Sequence, residues 1–215
     1  MTAVGRRFND AVTRFWSLAA PVYDLPALQR WVYQPAQDEV VAALRTHGAQ
    51  RIADIACGTG ILAARIHDEL HPAEVHGVDM SDGMLAQARA RSSQVHWCKA
   101  PAERLPFDDG ALDAVVSTSA FHFFDQTAAM REFHRVLAPG GLAAVATISP
   151  PQPPLLRALS AGIGDPTGNV AHNPSQRDMR RLFADAGFEI SDQHRVRRPL
   201  WTRGVWDLIT LGVRG

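Results

Sequence analysis

The chain alternates between short runs that are apolar throughout and longer stretches whose apolar residues recur every three or four positions. The first pattern suits buried β-strands and the second amphipathic helices. From Arg51 to Ala56 (RIADIA) the pattern predicts a strand, and from Gly60 to Leu70 (GILAARIHDEL) a helix. Glu74–Asp79 (EVHGVD) reads as a strand and Ser81–Ser92 as a helix. Ser81 is placed to cap that helix with its hydroxyl, and Met84, Leu85 and Ala88 share one face. Val95–Lys99 and Ala111–Thr118 read as strands, Thr127–Leu137 as a helix and Leu142–Ile148 as a further strand. Met130, Phe133 and Leu137 line one side of the Thr127–Leu137 helix, and Pro139-Gly140-Gly141 is expected to stop it. Strands that alternate with helices pair in parallel, because each crossover returns the chain to the same end of the sheet. Helices then cover both faces, which is why the strands need no polar side.

The flanks read differently. Phe8–Leu18 has Phe8, Val12, Phe15 and Trp16 on one side of a predicted helix, and Pro21 and Pro26 break the pattern. A second helix is predicted from about Ala27 to Leu44, with Pro35 placed to bend or split it. After Ile148 the chain is rich in proline, glycine and asparagine, and reads as loop, short helix near Leu155–Ala161, and loop. Ser175 opens a helix that runs through Ala186. Gly187–Val196 and Trp206–Arg214 read as two last strands, and the short gap between them favours an antiparallel hairpin over a crossover. The expected fold is α/β: a doubly wound, mostly parallel seven-stranded sheet with an antiparallel C-terminal hairpin and an N-terminal helical cap. The cap or lid is expected over 1–45 and the ligand-binding domain over 46–215, with an insertion at 149–174 forming one wall of the site.

Composition narrows the chemistry. With 215 residues the chain suits one domain and buries about 70% of its unfolded surface without metal or disulfide staples. A formal net charge of +0 disfavours a nucleic-acid partner, which draws on clustered positive charge. Cys57 and Cys98 make neither a disulfide framework nor a metal cluster, so no metal is expected and a reducing cytoplasm is the default. No apolar run approaches the roughly 18 residues of a membrane span, so stable membrane insertion is not expected. The reading leaves room for a homodimer.

The first strand of the alternating region ends in Asp-Ile-Ala-Cys-Gly-Thr-Gly, Asp54 to Gly60. Ligands of open α/β sheets sit outside the carboxyl ends of the strands. Gly58 and Gly60 there allow positive φ and bring bare backbone to a ligand, next to the free amides of a helix start. Asp79, at the tip of the second strand, can accept hydrogen bonds from two ribose hydroxyls, each contributing about 1.5–3 kcal/mol. Gly58, Gly60 and Ala63 also satisfy the loose G-x-G-x-x-G/A pattern, which keeps a nicotinamide-dependent oxidoreductase open. Asp54 separates the candidates. A carboxylate aimed at the seat repels a pyrophosphate and suits an ammonium group, as in S-adenosylmethionine, which has an amino-acid tail, a sulfonium and no phosphate.

Four ordered motifs then carry a resemblance. DIACGTG, GVDMSDGMLAQAR, APAERLPFDDGALDAVVSTSAFHFF and EFHRVLAPGG together resemble class I S-adenosylmethionine-dependent methyltransferases of the ubiquinone/menaquinone and small-molecule type, with APVYDL similar to a stretch of their N-terminal cap. The resemblance implies a Rossmann-like fold, S-adenosylmethionine as cofactor, and methyl transfer. The cofactor-binding residues it implies are Tyr23, Asp54, Ala56, Cys57, Gly58, Gly60, Asp79, Met80, Ala102, Glu103, Ser117 and Thr118, with Asp79 on the ribose and Ala102 and Glu103 lining the adenine. Pro101 stands where relatives usually carry an aspartate, which leaves the adenine-amino contact open.

Methyl transfer is an in-line displacement in which orientation alone can supply about 7–11 kcal/mol. His122 is the candidate general base or acceptor-positioning group; packing near the methionine tail is its competing reading. His134 and Cys98 read as packing residues, and Cys57 as a small residue that fits the turn. Trp16, Tyr23, Trp31 and Tyr33 either close over the site or form the core of the N-terminal helices. The acceptor is expected to be a small, apolar or aromatic molecule. A catalytically silent cofactor-binding module is a further alternative, and a nucleic-acid methyltransferase a weaker one.

Overall fold

The computed structural model describes residues 24–148, 173–196 and 207–215. The helices expected at Phe8–Leu18 and Leu155–Ala161, nearly all of the 149–174 insertion, and the candidates Trp16 and Tyr23 lie outside these residues.

The strands are β1 (Arg51–Ile55), β2 (Glu74–Asp79), β3 (His96–Lys99), β4 (Leu112–Thr118), β5 (Leu137–Ile148), β6 (Phe188–Arg195) and β7 (Asp207–Arg214). The helices are α1 (Gln34–His47), α2 (Ile61–Leu70), α3 (Asp82–Arg91), α4 (Gln126–Val136) and α5 (Gln176–Asp185). They form one seven-stranded sheet in the order β3-β2-β1-β4-β5-β7-β6. β3, β2, β1, β4 and β5 run parallel to one another. β7 is antiparallel to both β5 and β6, as the short connection between the last two strands requires.

The two faces of the sheet have separate cores. On one, Val40, Val41 and Leu44 of α1 and Leu62 and Ile66 of α2 pack over Ile52, Ala114, Val116 and Ala144. On the other, Met130, Phe133 and Val136 of α4 and Met179 and Phe183 of α5 cover Ala53, Ile55, Val115 and Val145. Each such side chain, fully buried, contributes about 1.5–3 kcal/mol. α1 therefore belongs to the sheet's core, and the boundary expected between residues 45 and 46 falls inside it.

Local signals act largely as read. Ser81 Oγ accepts from the Met84 amide at 3.2 Å to cap α3, and Ser175 and Asp178 form a reciprocal capping box on α5. The helix expected from Ala27 to Leu44 is split ahead of Pro35 into an α turn (Pro26–Leu28), a π-helical turn (Gln29–Tyr33) and α1. Proline lacks the N–H of the regular ladder and crowds the carbonyl four residues back, and the wider π turn absorbs that mismatch.

One expectation is corrected. Pro139-Gly140-Gly141 does not form a stop between helix and strand but lies within β5, which begins at Leu137 directly after α4. The β4–β5 register shifts between Leu112↔Leu137 and Ala114↔Leu142, and Gly140 takes φ 78°. The carbonyls at the end of α4 are instead satisfied from β7: Arg214 Nη1 donates to the carbonyls of His134, Arg135 and Leu137. A guanidinium also suits the negative end of the helix dipole. Among the described residues no helix is long and apolar enough to cross a membrane.

Candidate functional site

β1 pairs with β2 on one side and β4 on the other, so the winding direction reverses there, and the strands' carboxyl ends at such a reversal are where open α/β sheets bind ligands. The loop from β1 to α2 fills this end. The Cys57 amide donates to the Val78 carbonyl at 3.1 Å and the Gly60 amide to the Cys57 carbonyl at 3.0 Å. Ala56, Gly58 and Gly60 all have positive φ, at 58°, 56° and 78°. For a non-glycine residue such as Ala56 this conformation costs about 1–3 kcal/mol. Ser119, just past β4, carries the same signature at φ 57°. Both strained residues follow strands that meet at this reversal.

Gly60 has a second role that its sequence position did not reveal. A Cβ on Gly60, or on Gly77 of β2, would collide with the indole ring of Trp97. The missing side chains serve the approach of Trp97, whose Nε1–H donates to the Ser92 carbonyl at 2.9 Å. The Cβ side of Gly60 is thus filled by the protein rather than left for a ligand.

Asp79 stands at the tip of β2. Its Oδ2 accepts from the Gly58 amide at 2.9 Å and its Oδ1 from the Ser81 amide at 2.8 Å. Burial raises its pKa, while the amides of Ser81, Gly58 and Met80 pull it back. A carboxylate has about four lone-pair sites, so acceptor capacity remains on both oxygens. Met80 beside it is 41% exposed, an uncovered apolar surface at the same lip.

Asp54 lies beneath, 2% exposed on β1. Burial, and then the nearby charge of Asp79, push its carboxyl up to about 8, with the Ala63 amide offsetting part of this. Its Oδ2 is buried without a hydrogen-bond partner. Such an atom costs about 1–3 kcal/mol, more when charged, until a donor reaches it. Cys57 is buried in the same loop, and burial holds its thiol well above the usual range, which leaves it a protonated, unreactive turn residue.

Toward β4 and β5 the polar groups are less engaged. Ser117 and Thr147 are 0% exposed, and neither hydroxyl oxygen has a hydrogen-bond partner. Thr118 ends β4, level with Ala146 of β5. His122 lies on the single 3₁₀ turn Phe121–Phe123 after β4, its ring 4.0 Å from that of Phe123. Its Nδ1 is buried and unpartnered, and burial pushes its pKa down to about 4. Ala102 is buried after β3, whereas Glu103 turns to α4, where its Oε1 accepts from the Asp125 amide at 2.8 Å. His134 packs edge-on against Phe188, and Cys98 is a half-buried residue of β3. Among the described residues no group of three His, Cys, Asp or Glu side chains could hold a metal.

The structure thus brings Asp54, Ala56, Cys57, Gly58, Gly60, Asp79 and Met80 to the ends of β1 and β2, Ser117 and Thr118 to the end of β4 beside them, and His122 to the turn that follows β4. It adds three residues that the sequence reading passed over. Thr59 Oγ1 donates to Asp24 Oδ1 at 2.5 Å, Arg91 Nη2 pairs with Asp24 Oδ2 at 2.5 Å, and Arg91 Nε donates to the Thr59 carbonyl at 2.8 Å. The only signal in the sequence was position: Thr59 lies between the two glycines, and Asp24 follows Tyr23.

The family profile described as a methyltransferase domain matches residues 52–141, from β1 to the start of β5. Residues 52–141 thus match a methyltransferase domain. The chain is 45% identical over 107 residues to a demethylmenaquinone methyltransferase of Thermus thermophilus, covering 47% of this chain and 49% of the relative. It is 32% identical over 176 residues to a malonyl-[acyl-carrier protein] O-methyltransferase of Dechloromonas aromatica, covering 81% of this chain and 64% of the relative. It therefore spans about half to two thirds of the length of these relatives. In fold it is similar to the magnesium protoporphyrin IX methyltransferase of Synechocystis PCC 6803 solved with bound S-adenosylmethionine, with a TM-score of 0.70, 18% identity, and coverage of 100% of this chain and 99% of that one. The family's cofactor is S-adenosylmethionine, and the residues present suit it: an orphaned buried carboxylate oxygen for a cationic donor and a strand-tip carboxylate for a diol.

Proposed function

We propose that the chain transfers a methyl group from S-adenosylmethionine to a small apolar or aromatic acceptor. One observation carries the cofactor half of this reading: the carboxyl groups of Asp54 and Asp79 stand together at one strand end, with Asp54 Oδ2 buried and unpartnered among the described residues and ready to ionise against a cation. Two buried carboxylates suit a ligand with positive charge and disfavour the pyrophosphate of a nicotinamide dinucleotide. Asp79 would take the ribose hydroxyls while continuing to hold the Gly58 amide, and Asp54 would take the ammonium of the amino-acid tail. Met80 and Ala102 would lie against the base, and Gly58, Gly60, Ala56 and Cys57 would present backbone to the tail. Glu103, Ser117 and Thr118 complete the proposed shell, and Tyr23 is the residue assigned to cover it.

When bound, the cofactor supplies an electrophilic methyl on a sulfonium that leaves as a neutral thioether. What remains for the protein is alignment and exclusion of water. His122 is neutral at pH 7, so its unpartnered Nδ1 can accept a hydrogen bond from an acceptor hydroxyl. With a pKa of about 4 it is a weak base, and its role is to orient the acceptor rather than to take its proton in a committed step. The similarity to demethylmenaquinone methyltransferases favours a hydroxylated aromatic ring methylated at carbon.

Calorimetry with S-adenosylmethionine and S-adenosylhomocysteine tests the cofactor half, and absence of binding at millimolar concentration would sink it. Turnover with methyl-labelled cofactor over a panel that includes a reduced naphthoquinone and a malonyl thioester tests the acceptor. Labelling of the thioester alone would overturn the aromatic assignment.

A further inference from the structure

The ring of hydrogen bonds among Asp24, Thr59 and Arg91 meets the glycine loop at Thr59. Thr59 is 0% exposed and sits between Gly58 and Gly60, both in the left-handed region. Glycines on either side give this segment more backbone freedom to lose than any other pair of residues would. Its two anchoring groups, the hydroxyl and the carbonyl, are both taken: the hydroxyl by Asp24, the carbonyl by Arg91. Asp24 and Arg91 then bond each other, which closes the ring across three separate parts of the chain. Asp24 lies just ahead of the helical turn Pro26–Leu28, Thr59 is in the β1–α2 loop and Arg91 is the last residue of α3.

We propose that Asp24 is a positioning residue for cofactor binding, clamping the glycine loop through Thr59 and Arg91 in the conformation that presents its backbone to the ligand. The inference rests on the S-adenosylmethionine seat proposed above. Asp24 need not touch the ligand. Without the clamp the loop populates other conformers, and the apparent dissociation constant rises by the inverse of the competent fraction. The ion pair is part-exposed, with side-chain exposures of 32% for Arg91 and 26% for Asp24, so the core does not depend on it.

The test is S-adenosylhomocysteine affinity by calorimetry, with thermal melting and amide hydrogen exchange of residues 57–60 in the ligand-free protein. Thr59→Val and Asp24→Asn are each expected to weaken binding about tenfold. Exchange across the loop should speed up, while melting temperature changes little. Thr59→Ser, which keeps the hydroxyl, should bind within about twofold of wild type, and the Thr59→Val/Asp24→Asn double variant no worse than about either single one. Should Thr59→Val not fold, Asp24→Asn decides alone. Unchanged affinity in the variants of a wild type that binds overturns this inference only. A fall in melting temperature with affinity unchanged does the same, since the ring would then be merely structural. A wild type that binds nothing overturns both this inference and the seat.

Discussion

The two sides of this strand-end site are built differently. At the β1–β2 side, Asp79 holds the Gly58 and Ser81 amides, Cys57 holds Val78, and Asp24 and Arg91 hold Thr59. At the β4–β5 side, Ser117, Thr147 and His122 bury polar atoms that no described residue engages. The first side is pre-organised: its backbone is already where a ligand would need it, so less ordering entropy is lost on binding. The second side carries unmet hydrogen-bonding capacity, which costs stability in the folded chain. Such a division suits a cofactor seated on the organised side and reaching across to Ser117, with His122 left for the acceptor. Asp54 is the exception on the organised side, with one oxygen left for a cation.

The sharpest way to break this contrast is Asp79→Ala. It removes a charged acceptor and releases the Gly58 amide together, so S-adenosylhomocysteine binding should weaken by about 2–3 kcal/mol, read by calorimetry. An unchanged dissociation constant would mean that the organised side is organised for something else.

Next comes the pH dependence of Asp54. With its carboxyl near 8, far above an unfolded aspartate, the folded state keeps a proton that the unfolded state loses above about pH 4. Ligand-free stability should therefore fall as pH rises from about 4 through 8, and Asp54→Asn should flatten that slope in denaturant titrations. An ammonium ligand favours the ionised form, so wild-type affinity should rise by up to about fiftyfold from pH 6 to 8 with proton release, and the variant should show neither. A flat wild-type profile would remove Asp54 from the seat.

His122→Ala tests the other side. Losing one hydrogen bond to an acceptor hydroxyl should lower turnover about fivefold to tenfold while leaving S-adenosylhomocysteine affinity within about twofold. Equal losses in both would make His122 a packing residue of the cofactor side. The smallest effect is expected for Thr147→Val. Replacing an unpartnered buried hydroxyl by a methyl of the same shape should raise stability by up to about 1 kcal/mol, or a melting shift of roughly 2–4 °C. A loss of that size would show that the hydroxyl is already satisfied, and the contrast between the two sides would narrow.

Most of the parallel core was legible along the chain. Glu74–Asp79 reads as a strand because its apolar run is bounded by a proline on one side and a capping serine on the other, and both signals are local. Ser81 and Ser175 announce helix starts for the same reason. Gly58 and Asp79 were legible as neighbours because the tips of two adjacent parallel strands lie side by side. What escaped were encounters between distant side chains. Pro139-Gly140-Gly141 looked sufficient to end α4, yet Arg214 supplies the capping from 80 residues beyond His134. Gly60 looked reserved for a ligand, yet Trp97 occupies its Cβ side. Glu103 was assigned to the adenine through resemblance, and its carboxylate holds the start of α4.

Periodicity and punctuation by themselves determined the alternating elements, their parallel pairing and the antiparallel end, because each depends on neighbours within a turn or a strand. Only the tertiary structure decided the strength of Asp54's perturbation, the closed ring at Thr59 and the unmet polar atoms beside β4. Those properties come from what surrounds a group in three dimensions, its desolvation and its hydrogen-bond partners, and spacing along the chain encodes neither.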